Sequence, residues 1–156
     1  DNPKDLGSDR LVGVAAAYHF YGGPVITVDF GSATTFNLVT EDGTFIGGAI
    51  APGIKTATES LVNTAAKLPR IELQKPENII GKGTKSCMQA GSVYGYAGLV
   101  KYLVEKYKAL PEMKNAKVVA TGGLSELIQQ VEPDLVEVTD RALALKGLNY
   151  IYTLNK

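Results

Sequence analysis

Residues 25–39, VITVDFGSATTFNLV, leave few folds open to this chain. Val25 to Val28 form a β-branched, apolar run that reads as a strand and ends on a carboxylate, Asp29. Gly31 follows, then Ser32, Ala33, Thr34 and Thr35, then a second apolar segment. An acid at the end of a strand, before a Gly turn rich in donors, suits a bound nucleotide. Backbone N–H groups and hydroxyls can hold phosphate oxygens while Asp29 holds the accompanying cation. A plain hairpin whose polar residues satisfy the turn uses the same residue types. Against that reading, a carboxylate closing an apolar strand is costly to bury without a cation or donors.

The opening DNPKDLGSDR is polar and turn-rich. From Leu11 the pattern turns helical, with Leu11, Val14, Ala15 and Tyr18 on one face, until Gly22-Gly23-Pro24 stops it. Strands are expected at about 25–30, 35–40 and 44–51, with Glu41-Asp42-Gly43 as a tight-hairpin signal. A helix of about 54–67 puts Ile54, Ala57, Leu61, Ala65 and Leu68 on one face. After a Pro- and Gly-containing excursion, Thr84 starts a long helix to about Tyr107. A strand at 117–120, a helix at about 124–130 and a strand at 135–138 come next, and Thr139 or Asp140 caps a terminal helix through about Leu154. The fold class expected is α/β. Three antiparallel strands followed by alternating α and β elements resemble the ribonuclease-H-like domain, with its mixed five-stranded sheet, that actin-like kinases carry in two copies.

Composition narrows the function. Sixteen basic residues balance sixteen acidic ones, which argues against a non-specific nucleic-acid binder. No apolar run approaches the roughly 20 residues that span a bilayer, and no signal peptide opens the chain. Cys87 stands alone, so no intrachain disulfide can form, and a reducing cytoplasm is the expected home. His19 is the sole histidine, and no zinc-ligand spacing exists.

Other motifs carry two readings each. Gly7-Ser8-Asp9-Arg10 lies where loop becomes helix, where Ser8 or Asp9 can satisfy free N–H groups and gain from the helix dipole. The same residues offer a general base, Asp9, beside a donor fork, Arg10, that suits a substrate carboxylate or carbonyl. Asp29-Phe30-Gly31 is not the protein-kinase triplet, because no Gly-rich loop, strand Lys or H-R-D segment accompanies it. Gly81 to Ser86 fails as a P-loop, since Thr84 and Ile79 occupy its obligatory glycine positions; Thr84 reads as an N-cap free to reach a ligand. Ala120-Thr121-Gly122-Gly123 sits at a strand end, where ligands collect in open α/β sheets, although a plain turn explains it too. Gly91, Gly95 and Gly98 share one helix face, each at a cost of about 1 kcal/mol against Ala. A second helix packed closely there would offset that cost, either the terminal helix or a second subunit's copy.

Taken in order, these segments resemble type III pantothenate kinase. The resemblance rests on Asp1-Asn2-Pro3 with Gly7-Ser8-Asp9-Arg10, on Gly22-Gly23-Pro24 leading into Asp29 to Phe36, and on Gly47-Gly48 with Ile50-Ala51-Pro52-Gly53. Ala66-Lys67-Leu68-Pro69, Ile80-Gly81-Lys82 through Thr84, Gly91 to Gly98, and Ala120 to Gly123 continue it. It implies ATP-dependent phosphorylation of pantothenate, the first step of coenzyme A biosynthesis. Asp9 would be the general base; Gly7, Ser8, Arg10 and Thr84 would line the pantothenate pocket. Ser32 would touch ATP, which carries Mg2+, and Asp29 would bind a monovalent cation, potassium or ammonium. The family is homodimeric.

Two substitutions and one absence set this chain apart. Position 32 is usually Thr and is Ser here, and Asn37 replaces a usual Asp. The family's first half, with its Asp-x-Gly-Asn-Thr phosphate loop, and a substrate-contacting Tyr before Asp1 are not in the sequence. Residues 1–156 therefore read as the second of two actin-like domains, expected to be inactive alone. A non-catalytic regulatory relative would be expected to lose Asp9, Arg10 or Asp29, and all three stand. A dimerisation module built on the Gly-faced helix is compatible with the leading reading.

Overall fold

Two helices on one face of a mixed sheet and three on the other enclose the core of this computed structural model, which describes residues 7–156. The Asp1-Asn2-Pro3 segment lies outside the described residues. Helix α1 (Ser8–Tyr21) leads into β1 (Val25–Phe30), β2 (Ala33–Val39) and β3 (Phe45–Pro52). Next come α2 (Ile54–Thr64), α3 (Thr84–Lys108) and β4 (Lys117–Thr121). Helix α4 (Ser125–Val131), the short β5 (Val138–Thr139) and α5 (Leu143–Leu154) complete the chain. The strand order is β3-β2-β1-β4-β5; β1 pairs antiparallel with β2 and parallel with β4.

The period-2 alternation of strands sorts the side chains. Ile26, Val28, Phe36, Leu38 and Val118 point to one face and pack with α3 and α4. Val25, Val39 and Val119 point to the other, against Val14, Ala16 and Ala17 of α1 and Leu143 of α5. Each large side chain buried this way contributes about 1.5–3 kcal/mol. The near-continuous apolar letters of β1 follow from its central place: it is covered on both faces.

Several expectations need correcting. On α1 the buried residues are Val14, Ala16 and Ala17, while Leu11 is 51% exposed, because the helix is wedged between the sheet and α5 and presents two faces. Gly7, not Ser8 or Asp9, occupies the N-cap of α1, and no side chain caps it. At α3 the N-cap is Gly83 rather than Thr84; Ser86 Oγ accepts from the Gly83 and Lys82 N–H groups at 3.0 and 3.1 Å. The fifth strand is shorter than 135–138, since Leu135 N–H turns back to the Glu132 carbonyl and pairing begins only when Glu137 N–H reaches Val118. At α5 the N-cap is Ala142 rather than Thr139 or Asp140, although the Asp140 carboxylate accepts from Ala142 N–H at 3.0 Å.

The terminal helix does not pack on the glycines of α3. It packs on α1, and the close approach is made by Gly147, where a Cβ would stand 2.6 Å from the Val12 carbonyl oxygen. Gly91, Gly95 and Gly98 are exposed, with no atom within 4 Å of where a Cβ would project. The predicted inner face of α2 is also open: Leu61 is 46% exposed. Together α2 and α3 wall a groove of about 830 Å3 with an apolar lining that includes Ile54, Leu61, Leu68, Met88 and Leu99.

Candidate active site

Strands β1 and β4 run parallel and finish side by side at Asp29 and Thr121, and β2 places Thr35 opposite Asp29. Residues of equal parity share a face, so the face under α1 changes character along its length. Val25 and Val39 form its dry end, Thr27 pairs with Asn37 on one side and Val119 on the other across the middle, and Asp29, Thr35 and Thr121 stand at the open end. The first turn of α1 completes that end. Asp9, Arg10, Asp29, Ser32, Thr35 and Asn37 line one cavity of about 290 Å3 there.

Electrostatics at this cavity are unbalanced. Asp29 is the one exposed residue of β1, yet partial desolvation by its surroundings, and secondarily the charge of Asp9, push its carboxyl above its ordinary range. Arg10 does not neutralise the pair. Its Nε donates to Asn37 Oδ1 at 2.8 Å, and its guanidinium carbon lies 5.9 Å from the centre of the Phe45 ring. Asn37 Nδ2 in turn donates to Thr27 Oγ1 at 3.1 Å.

Two glycines admit the carboxylates. A Cβ on Gly7 would lie 2.7 Å from Asp9 Oδ1. Gly122 has φ of +91° and passes so close to β1 that a Cβ would sit 2.6 Å from the Phe30 carbonyl oxygen and 2.8 Å from Asp29 Oδ1. The Thr121-Gly122-Gly123 turn is thus packed against the Asp29 strand end, as a close backbone approach requires.

Of the hydroxyl segment, Ser32 and Thr35 face the cavity. Thr34 does not: it is fully buried on the other face and bonded to the Tyr96 hydroxyl of α3. Tyr96 Oη also lies 2.8 Å from the Pro52 carbonyl. One phenol proton cannot serve both, so the carbonyl takes it and Thr34 donates to Tyr96. The Ser32 carbonyl accepts from Gly53 N–H at 2.9 Å and Thr56 Oγ1 at 2.7 Å, which fixes this turn to the start of α2. Thr84 lines the α2–α3 groove instead of the Asp9–Asp29 cavity, and Gly7 and Ser8 are exposed beside Asp9 without lining it. Sequence reasoning missed Thr27 and Tyr96, and marked Asn37 only as a departure from the family's usual Asp. Polar letters at alternate positions of apolar strands, Thr27 with Asp29 and Thr35 with Asn37, were the available signal for a shared polar face.

The family model for type III pantothenate kinase matches residues 1–106. The chain belongs to the type III pantothenate kinase family. The Agathobacter rectalis type III pantothenate kinase is 51% identical over 151 residues, covering 97% of this chain and 58% of that relative. The Geobacillus kaustophilus enzyme of the same name is 50% identical over 155 residues, covering 99% and 59%. This chain therefore spans under two thirds of the length of the curated pantothenate kinases it matches. A solved structure of a Baf family protein from Campylobacter jejuni superposes with a TM-score of 0.69 over 99% of this chain and 67% of that one, at 22% identity, which is a likeness of fold.

The cavity offers oxygen donors suited to a hard cation: the Asp29 carboxylate, with Thr35 and Thr121 paired beside it. Among the described residues no group of three or more His, Cys, Asp and Glu side chains could hold a metal ion.

Proposed function

We propose that this chain is the second, ribonuclease-H-like domain of an actin-like kinase that transfers the γ-phosphoryl group of ATP to the primary hydroxyl of pantothenate. The observation that carries the reading is the meeting of Asp9, Arg10, Asp29 and Ser32 on one cavity in a chain of this family. The strand order supports the domain assignment. In this reading Asp9 takes the hydroxyl proton as the oxygen–phosphorus bond forms and the bond to the ADP oxygen breaks. Arg10 holds the acceptor's carboxylate or carbonyl. Phosphoryl transfer needs chiefly positioning and neutralised charge, and the parts here serve those ends. Asp29, with Thr35 and Thr121, would hold potassium or ammonium, which offsets phosphate charge; Mg2+ arrives with the nucleotide. Ser32 supplies a hydroxyl toward the phosphates. A cavity of about 290 Å3 is small for two substrates, so the phosphate loop of a first domain is required and the isolated chain is inactive.

The homodimer of this reading uses the groove between α2 and α3, where bare Gly91 and Gly95 and the apolar wall suit a second copy. Thr84 enters through that groove, which reaches Ile54 next to the Ser32 turn. The test is turnover of pantothenate and ATP by the full-length protein carrying Asp9→Asn. Activity should vanish with the circular-dichroism spectrum unchanged, and near-normal turnover would remove Asp9 from the role of base. Asp29→Ala should weaken the potassium dependence; an unaltered dependence moves the cation elsewhere.

A further inference from the structure

The geometry points to Asn37 as the positioning residue that aims Arg10 at the substrate, an inference that rests on the proposed role of Arg10 at the acceptor. Asn37 is only 3% exposed, and so is Thr27, its cross-strand partner. Arg10 has donors and no acceptor, so only the amide oxygen of Asn37 can meet Arg10 Nε. The amide nitrogen must then face Thr27, where Oγ1 accepts at 3.1 Å. The orientation of the amide is thereby fixed from both ends by chemistry and by the sheet register. Asn37 occupies only the Nε–H of Arg10, and Phe45 packs against the guanidinium. Among the described residues the four N–H groups on the two terminal nitrogens have no hydrogen-bond partner, which suits them to a planar anionic or carbonyl group in the cavity.

Both supports are neutral. Among the described residues no carboxylate lies within ion-pair distance of Arg10, so its charge stays available to a ligand. Without the Asn37 oxygen, the long side chain would have to be ordered by the substrate itself, and that ordering entropy would be taken from binding. The effect belongs in KM, whereas loss of a group acting on the reacting atoms would lower kcat.

The experiment is a double-mutant cycle in the full-length protein, with KM for pantothenate and kcat read separately. Asn37→Leu, which keeps the size and removes the acceptor, should raise KM about tenfold, as expected for a lost hydrogen bond to a charged group, with kcat within about twofold. Asn37→Asp restores an acceptor oxygen and should bring KM back to within about threefold of the parent. In an Arg10→Ala background, Asn37→Leu should have no further effect. Thr27→Val, nearly isosteric, releases the amide from its anchor and should raise KM about threefold; it carries the test if Asn37→Leu does not fold. Additive effects in the cycle, or an unchanged KM in Asn37→Leu or Thr27→Val, would overturn the positioning role. An unchanged KM in Arg10→Ala would instead overturn the assignment of Arg10 to the substrate.

Discussion

Gly122→Ala adds one methyl group and should be among the most damaging small substitutions in this protein. Gly122 follows β4 with φ of +91°, a backbone region that costs an L residue about 1–2 kcal/mol. The added carbon would meet the Phe30 carbonyl oxygen at 2.6 Å, its carbon at 2.7 Å and Asp29 Oδ1 at 2.8 Å. Phe30 belongs to the central strand, held by β2 on one side and β4 on the other, so its backbone cannot yield without disturbing both ladders. Overpacking of this kind costs about 1–3 kcal/mol more. A total of about 2–5 kcal/mol is a large share of the roughly 5–15 kcal/mol that stabilise an ordinary domain. Gly98→Ala is the matched control. That glycine lies inside α3 with no neighbour within 4 Å, so the same methyl removes only the helix penalty of glycine and should stabilise by about 1 kcal/mol. Urea denaturation followed by far-ultraviolet circular dichroism reads both, as shifts in midpoint at constant slope. A Gly122→Ala midpoint equal to the parent's, or an equal loss in Gly98→Ala, would show that these local geometries do not set the cost.

Three further outcomes follow from the charges and hydroxyls. Desolvation and Asp9 raise the Asp29 carboxyl, so its protonated form favours folding and that contribution is lost as pH rises through the raised value. Asp29→Asn should therefore be more stable than the parent at neutral pH and level with it in acid; a stability gain that persists in acid would contradict this. Asp140 behaves oppositely. Burial works against its ionisation, but Lys146 at 2.7 Å, Tyr21 at 2.6 Å and the Ala142 N–H hold the carboxyl below its ordinary range. Its stabilisation is complete above that range and fades as pH falls through the depressed value, so Asp140→Asn should lose stability at neutral pH and approach the parent in acid. Tyr96→Phe strips a shared hydroxyl from Thr34 and Pro52 and should cost about 1–2 kcal/mol in thermal or urea unfolding, with an unchanged midpoint counting against the bond.

The elements were legible in the sequence because local signals decide them. β-branched runs marked 25–30 and 117–120, Glu41-Asp42-Gly43 gave the hairpin, and Thr84 opened the long helix within one residue of its observed start-to-cap boundary. The residues of the candidate site were legible too, since Asp9, Arg10, Asp29 and Ser32 are chemically conspicuous at element ends. Which side chain meets which was not. Thr34 and Thr35 are adjacent and alike, yet strand alternation sends one to Tyr96 and the other to the cavity. The partner of Arg10 lies 27 residues away on β2, and no local pattern names it.

Sequence alone determined the type and order of the strands and helices, and that acids and hydroxyls gather at the end of an apolar strand. Only the tertiary structure decided that α5 packs on α1 through Gly147, leaving the glycines of α3 bare, and that a neutral amide rather than a carboxylate holds the arginine. The physical reason is range. Propensity, capping and alternation act over a few residues, whereas contacts between faces depend on how distant segments pack once the sheet has set their register.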